Sequence, residues 1–255
     1  MVQEHAPVHS VREVASNIYQ LSFRSAIIAR QAAPGQFVNV KVDNVGGPLL
    51  RRPFSIYSVE NYDVSIIFNV VGLGTRALSY MTVGETVDVL GPLGKGVFPY
   101  NDEAFDTALL VGGGLGVAAL PFLSSLMPVT KKKVTFLGAR TASQLVRAGL
   151  ENVRVATDDG SEGSLGTVVE LLRKFLETSN PDRPRIFSCG PLPMMRALKG
   201  LALQKKIECF LALEGEMACG IGLCQGCPVQ TVNGKKKFEL VCSDGPVFEA
   251  STVNF

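Results

Sequence analysis

Residues 217–230, MACGIGLCQGCPVQ, place Cys219, Cys224 and Cys227 at C-x4-C-x2-C spacing, and Cys242 follows after a short, polar, lysine-rich segment. This is the plant-type ligand spacing of a [2Fe–2S] cluster. It organises the chain, because three thiols must share one tight loop and a fourth must be brought back to them. Gly220, Gly222 and Gly226 remove side chains between the ligands. The backbone can then fold closely round a cluster and aim N–H groups at its sulfur atoms. A structural zinc site also takes four cysteines, but it usually pairs them as C-x2-4-C twice, whereas here the close spacings share Cys224 and Cys242 stands alone.

The chain has 255 residues, enough for two domains and a small third. Hydrophobic residues make up 46%, which supplies real cores and argues against disorder. The net charge of +2 is too balanced for nucleic-acid binding. The lysine runs 131–133 and 235–237 read as solvated turns, the second also as a docking patch for an acidic partner beside the cluster ligands. The opening MVQEHAPVHS lacks the apolar core of a signal peptide. The apolar run 109–129 has the length of a membrane span, but it holds four glycines by Gly116 and prolines at 121 and 128, a strand–loop–helix pattern. The expectation is a soluble cytoplasmic protein, with no membrane or nucleic-acid partner. A reducing compartment disfavours disulfides and strengthens the cluster reading. Cys189 and Cys209 are left over.

Residues 8–100 read as short antiparallel strands with Gly and Pro between them, which suggests a small β-barrel. RRPFSIYS (51–58) sets a guanidinium, a proline and a serine hydroxyl close together on a strand, a planar fork for a pyrophosphate and a donor for a flavin edge. GLGTRALS (72–79) reads as a turn entering a helix, whose N–H groups and Thr75 hydroxyl suit a phosphate. Each signal alone is weak, since Arg52 also fits a surface ion pair and Gly72 and Gly74 fit a turn.

Near residue 100 the pattern changes to strands at 107–112, 131–140, 153–159 and 184–190, alternating with helices after the glycine loop, at 142–150, at 167–178 and at 191–204. This is a doubly wound parallel sheet with ligands at the carboxyl ends of its strands. Turns at 112–116, 157–161 and 189–191 fall at such ends. The first is G-G-G-x-G, where Gly113, Gly114 and Gly116 let the backbone approach a pyrophosphate. The last unit, 207–255, starts as a strand into the cysteine loop and then makes a hairpin with Asn233-Gly234 at its tip, which returns Cys242 to the other ligands.

The order of a barrel with RPFS, a sheet with GGGLG and CGP, and a cysteine-rich end resembles the ferredoxin–NADP reductase superfamily. Within it the chain resembles the electron-transfer subunits of type B dihydroorotate dehydrogenase. The likeness runs through REVASNIY (12–19), PGQF (34–37), LLRRPFSI (49–56), the text near 87–98, GGGLGV (112–117), ATDDGS (156–161), CGPLPMM (189–195), MACGIGLC (217–224) and VCSDGPVF (241–248), nearly the whole chain. It departs at Val117-Ala118-Ala119, where relatives commonly have a proline, and at Gln225-Gly226, which varies among them.

The resemblance implies α/β plus all-β architecture: an antiparallel β-barrel FAD domain (1–103), a doubly wound parallel-sheet NAD domain (104–206) and a small C-terminal [2Fe–2S] domain (207–255). It implies FAD contacts at Arg52, Pro53, Phe54, Ser55, Asn69, Val70, Val71, Gly74 and Thr75. The NAD(H) site is then Gly113, Gly114, Gly116, Asp158, Cys189, Gly190 and Pro191, and the cluster ligands are Cys219, Cys224, Cys227 and Cys242. It also implies a catalytic, FMN-containing dihydroorotate dehydrogenase subunit as partner, in a heterotetramer of two of each, in pyrimidine biosynthesis. Only His5 and His9 are available as imidazoles, both near the start, so the cofactors and not acid–base side chains carry the reaction. The chain has no room for a (β/α)8 barrel besides its own domains, so it is not expected to oxidise dihydroorotate alone. The alternatives are a diaphorase subunit of a soluble hydrogenase or of an NADH-dependent ferredoxin–NADP reductase, and a zinc module on a degenerate reductase scaffold. Arg140, after the second sheet strand, leaves NAD against NADP open.

Overall fold

The structure, a computed structural model, describes residues 1–42, 49–232 and 236–255. Alternating apolar residues in the first part of the chain build an antiparallel sheet. Its strands are β1 (Val2–Ala15), β2 (Ile18–Arg24), β3 (Phe37–Lys41), β4 (Arg52–Ser55), β5 (Ser58–Glu60), β6 (Asp63–Asn69) and β7 (Thr86–Leu93), in the order β4-β3-β7-β1-β2-β6-β5. The two edge strands are halves of one stretch. Phe54 of β4 pairs with Val38 on β3, whereas Val59 of β5 pairs with Val64 on β6. Between them the Ile56 N–H donates to the Gln36 carbonyl and the Tyr57 N–H to the Ser65 carbonyl. One segment therefore joins both edges and curls the sheet into a barrel, which removes the unpaired edges of a flat sheet. Leu21, Phe23, Val38, Val40, Ile66 and Phe68 fill it.

Two short helices interrupt the strands. α1 (Ala26–Gln31) starts at Ser25, whose hydroxyl accepts from the Ile28 N–H; the all-β reading of this region missed it. α2 (Leu73–Ser79) follows Gly72, as the sequence predicts.

The second half is built on β8 (Thr107–Gly113), β9 (Lys132–Ala139), β10 (Val153–Thr157), β11 (Ser164–Leu165), β12 (Pro184–Cys189) and β13 (Glu208–Ala212), which run parallel in the order β11-β10-β9-β8-β12-β13. Central β8 is buried at every position, which is why it reads as a continuous apolar run. Helix α3 (Leu120–Leu126) covers one face with Leu120 and Leu123. Helices α4 (Val168–Ser179) and α5 (Leu192–Lys205) cover the other with Leu172, Phe175, Leu198 and Leu201. The sheet is thus doubly wound. Each such Leu or Phe contributes about 1.5–3 kcal/mol through burial.

The helix expected at 142–150 is absent. A single 3-10 turn (Ala142–Gln144) is followed by loop. The barrel takes this segment's hydrogen bonds: Ser16 N–H donates to the Ser143 carbonyl, and the Tyr57 hydroxyl to the Ala148 carbonyl at 3.0 Å. Those contacts and the left-handed φ of +77° at Gly149 override a weak local preference.

Strand β13 pairs with β12, so the sheet continues past residue 207, the start read for the C-terminal unit. After the cysteine loop come β14 (Pro228–Thr231) and β15 (Phe238–Leu240), the expected hairpin. Its Asn233-Gly234 tip, with Lys235, lies outside the described residues. β16 (Val247–Glu249) returns to the main sheet antiparallel to β13, and β17 (Val253–Asn254) joins β14. Cys227, Val229, Val241, Cys242 and Phe248 share one core with α4 and α5. The cysteine unit is therefore packed onto the sheet. Among the described residues no helix is long and apolar enough to cross a membrane.

Candidate functional site

Two clefts meet where the barrel faces the sheet. The first, about 320 Å3, is lined by Pro53, Phe54 and Ser55 of β4, by Asn69, Val71 and Thr75, by Leu115 and Cys189 from the sheet, and by Glu214, Gly215 and Met217 on the approach to the cysteine loop. Arg52 lies at its rim over α2: a Cβ built on Gly74 would stand 2.4 Å from Arg52 Nε, and Arg52 Nη1 donates to the Leu50 carbonyl at 2.6 Å. Gly74 therefore leaves room for the Arg52 guanidinium, a fork suited to a pyrophosphate. Thr75 is buried, and its hydroxyl oxygen accepts from the Val71 and Gly72 N–H groups at 3.0 and 3.3 Å. That hydroxyl shapes the turn that carries Val70 and Val71.

Asn69 Oδ1 is buried and has no hydrogen-bond partner among the described residues. An unpaired buried acceptor costs about 1–3 kcal/mol. A flat ring system with amide-like N–H donors satisfies it, so the cleft fits the flavin of FAD.

The second cleft, about 680 Å3, follows the carboxyl ends of β8, β9 and β10 and is lined by Gly113, Gly114, Arg140, Asp158, Pro191 and Met194 among others. Asn69, Val71 and Leu115 line both clefts, so a nicotinamide and a flavin would meet there. The glycines read as ligand contacts divide into two groups. Gly114 has φ +54° and nothing within 4 Å of a built Cβ. Gly116 instead packs on backbone, with a built Cβ 2.3 Å from the Cys189 carbonyl oxygen. Gly190 makes room for Met194, whose Cε would stand 2.5 Å from a built Cβ. The sequence shows that glycine is needed at such turns; whether a ligand or a neighbouring strand needs it depends on the fold.

Cys189 lines the flavin cleft, not the second one, with its Sγ 4.0 Å from Glu214 Oε1. Burial, then the neighbouring carboxylate, pushes the Cys189 thiol far above the ordinary range, and burial raises Glu214 as well. Cys209, in the core, is likewise held as a neutral thiol by burial. Both belong to strands of the parallel sheet, β12 and β13, and stand outside the cysteine loop. Sequence reading missed Glu214; an acidic residue directly after the apolar strand FLAL was its one signal.

The other four cysteines follow Met217, the last residue of the cleft lining before the cysteine loop, and stand as two pairs. Cys219 Sγ accepts from the Ile221 and Cys224 N–H groups at 3.5 and 3.3 Å. Cys227 Sγ accepts from the Cys242 N–H at 3.4 Å. Cys224 is exposed, whereas Cys227 and Cys242 are buried. Burial opposes ionisation of Cys219, but the converging N–H groups outweigh it and draw the thiol down to about 6. Burial and the Cys227 sulfur push Cys242 up to about 12. Among the described residues no three Cys, His, Asp or Glu side chains converge on one point as for a single ion. Two thiol pairs with backbone donors aimed at sulfur suit a centre of two irons. Gly220 and Gly222 carry the loop through left-handed φ of +71° and +85°.

Barrel, doubly wound sheet and abutting clefts define an oxidoreductase of the ferredoxin reductase type. The fold matches a solved NADH-dependent reduced ferredoxin–NADP oxidoreductase, studied for flavin-based electron bifurcation, with a TM-score of 0.83 and 26% identity over 98% of this chain and 89% of that one. It also matches the ferredoxin reductase in carbazole 1,9a-dioxygenase, with a TM-score of 0.69 and 22% identity over 81% and 66% of the two chains. Residues 214–254 match the family described as the iron-sulfur cluster binding domain of dihydroorotate dehydrogenase B. A curated relative from Bacillus cereus (strain Q1), the electron transfer subunit of dihydroorotate dehydrogenase B (NAD(+)), is 39% identical over 263 residues, covering 99% of each chain. This chain belongs to the family of dihydroorotate dehydrogenase B electron transfer subunits.

Proposed function

We propose that this chain carries electrons between NAD(H) and a separate catalytic subunit that oxidises dihydroorotate, in pyrimidine biosynthesis, with FAD and a [2Fe–2S] cluster as its cofactors. One observation carries the reading: Met217, two residues before Cys219, lines the same cleft as Pro53, Phe54 and Ser55. The wall of the flavin cleft is thus the entry to the cysteine loop. When bound, FAD exchanges electron pairs with nicotinamide and single electrons with the cluster, a conversion neither of those can make alone.

The chain's own residues bind and orient. Arg52 would hold the pyrophosphate, and Ser55 of β4 would hydrogen-bond the flavin edge. Gly114 and Pro191 bring backbone to the dinucleotide, and the four cysteines hold the irons. Cys224 stands at the surface beside Leu223, which is 77% exposed, and Ile221. This apolar rim is the face for the partner. The partner bears FMN, and two copies of each subunit form a cytoplasmic heterotetramer. The functional division follows 1–103 for FAD, 104–206 for NAD and 207–255 for the cluster, with β13 shared between the last two. A diaphorase role with another partner is favoured only by the 0.83 TM-score to the ferredoxin–NADP oxidoreductase. Identity of 39% over 99% of the chain favours the first reading.

Co-expression with a catalytic dihydroorotate dehydrogenase subunit tests it. The pair is expected to co-purify and to reduce NAD+ with dihydroorotate, while this chain alone reduces only artificial dyes with NADH. Co-purification without any dihydroorotate-dependent NAD+ reduction would sink the proposal.

The cleft also bears on nucleotide choice. Asp158 and Arg140 stand on the same wall. A carboxylate accepts from ribose hydroxyls and repels a 2′-phosphate, whereas an arginine attracts one. Asp158→Ala is expected to raise the NADPH/NADH ratio of kcat/KM by about tenfold, or about 1.4 kcal/mol, in steady-state dye assays. An unchanged ratio means that Asp158 does not set the preference.

A further inference from the structure

Asn39 sits on β3 with 1% of its surface exposed, between the flavin strand and the cysteine loop. Its neighbour on β4 is Pro53. Its side chain reaches the cysteine loop: Nδ2 donates to the Cys219 carbonyl at 3.1 Å, across 180 residues of sequence. The amide orientation follows from chemistry, because a carbonyl only accepts and the nitrogen must therefore face it. That leaves Asn39 Oδ1 buried and without a partner among the described residues. Such an atom costs about 1–3 kcal/mol, which an apolar side chain at this position would avoid.

The surroundings are built around this contact. Gly220 has φ +71°, and a Cβ there would stand 2.0 Å from Asn39 Nδ2, so only glycine lets the loop come so close. On the barrel side Arg51 Nη1 reaches the Asn39 carbonyl at 3.5 Å, while its Nη2 pairs with buried Asp88 at 2.6 Å. Directly beyond the anchored peptide, the Ile221 and Cys224 N–H groups converge on Cys219 Sγ.

We propose that Asn39 is a positioning residue of the electron path: it pins the Cys219–Gly220 peptide to the flavin barrel and so keeps those two N–H groups aimed at the Cys219 sulfur. This rests on the four cysteines holding a [2Fe–2S] cluster. Hydrogen bonds to cluster sulfurs stabilise the charge added on reduction, so they hold the potential up. Loosening the peptide lowers it.

The test is an EPR-monitored redox titration of the purified full chain as Asn39→Ala and Asn39→Leu, with iron and FAD content measured beside the wild type. Both variants are expected to keep FAD. At the ambient potential where the wild-type cluster is half reduced, the reduced-to-oxidised ratio of the variants is expected to fall about tenfold, equal to 59 mV for a one-electron couple. Altered g-values should accompany it. Loss of iron with FAD retained also supports the anchor, since only the cysteine loop then fails. Full iron content with unchanged potential and g-values overturns the proposal. So does loss of iron and FAD together, which makes Asn39 a general packing residue. Absence of iron from the wild type refutes the cluster reading itself, a separate result.

Discussion

Cys224→Ser is expected to leave NADH-driven dye reduction close to the wild-type rate and to lower dihydroorotate-dependent NAD+ reduction by more than about 100-fold, a loss of about 2.7 kcal/mol or more. The asymmetry follows from where Cys224 lies. It is exposed and lines neither cleft, so FAD and NAD(H) binding do not depend on it. Its backbone N–H serves Cys219 Sγ at 3.3 Å and survives the substitution, so the loop keeps its shape. What is lost is one thiolate, and a serine hydroxyl is a poor substitute for it. Cys227 is a worse probe, because it is 4% exposed within a core shared with α4 and α5, and changing it disturbs the fold as well. Dye assays, iron content and the coupled assay with the co-expressed catalytic subunit are measured on one preparation. If transfer to that subunit continues in Cys224→Ser, the cysteine loop is not on the path.

That experiment has a rationale because the loop abuts the flavin cleft, a fact its own spacing does not contain. Ligand spacing, the strand–helix alternation after residue 100 and the hairpin that returns Cys242 are all local, and they were legible in the sequence. Tertiary contacts decided the remainder. Residues 142–150 have a helical pattern, yet they spend their carbonyls on Ser16 and Tyr57 of the barrel. The Ser25 cap that starts α1 was present in the sequence but hidden among strand signals. Arg52 and Gly74 both looked like phosphate contacts; the fold lays one on the other. Asn39 and Glu214 carried almost no signal, because each acquires its setting from a distant segment. A buried amide in a strand is ordinary until the loop holding Cys219 is placed against it.

Gly116 gives the sharpest case of this ambiguity and the second large expected effect. Four glycines within 112–116 read as a dinucleotide loop, but a Cβ on Gly116 meets only backbone: the Cys189 carbonyl oxygen at 2.3 Å, the Cys189 carbonyl carbon at 2.4 Å and Gly190 Cα at 2.5 Å. No rotamer change relieves this. The turn after β12 must retreat by about 1 Å to reach ordinary contact at 3.4 Å. That turn serves both clefts, since Cys189 lines one and Pro191 the other. Gly116→Ala is therefore expected to cost about 1–3 kcal/mol of stability. At about 2–4 °C per kcal/mol for a chain of this size, Tm falls by roughly 2–12 °C. KM for NADH is expected to rise about tenfold, because the dinucleotide loses its register with the flavin. Gly200→Ala in α5 is the control: a Cβ there has nothing within 4 Å, so the helix gains about 0.5–1 kcal/mol and Tm rises. A Gly116→Ala protein with wild-type Tm and wild-type KM for NADH would show that the two turns are not pressed together, and the shared wall between the clefts would lose its basis.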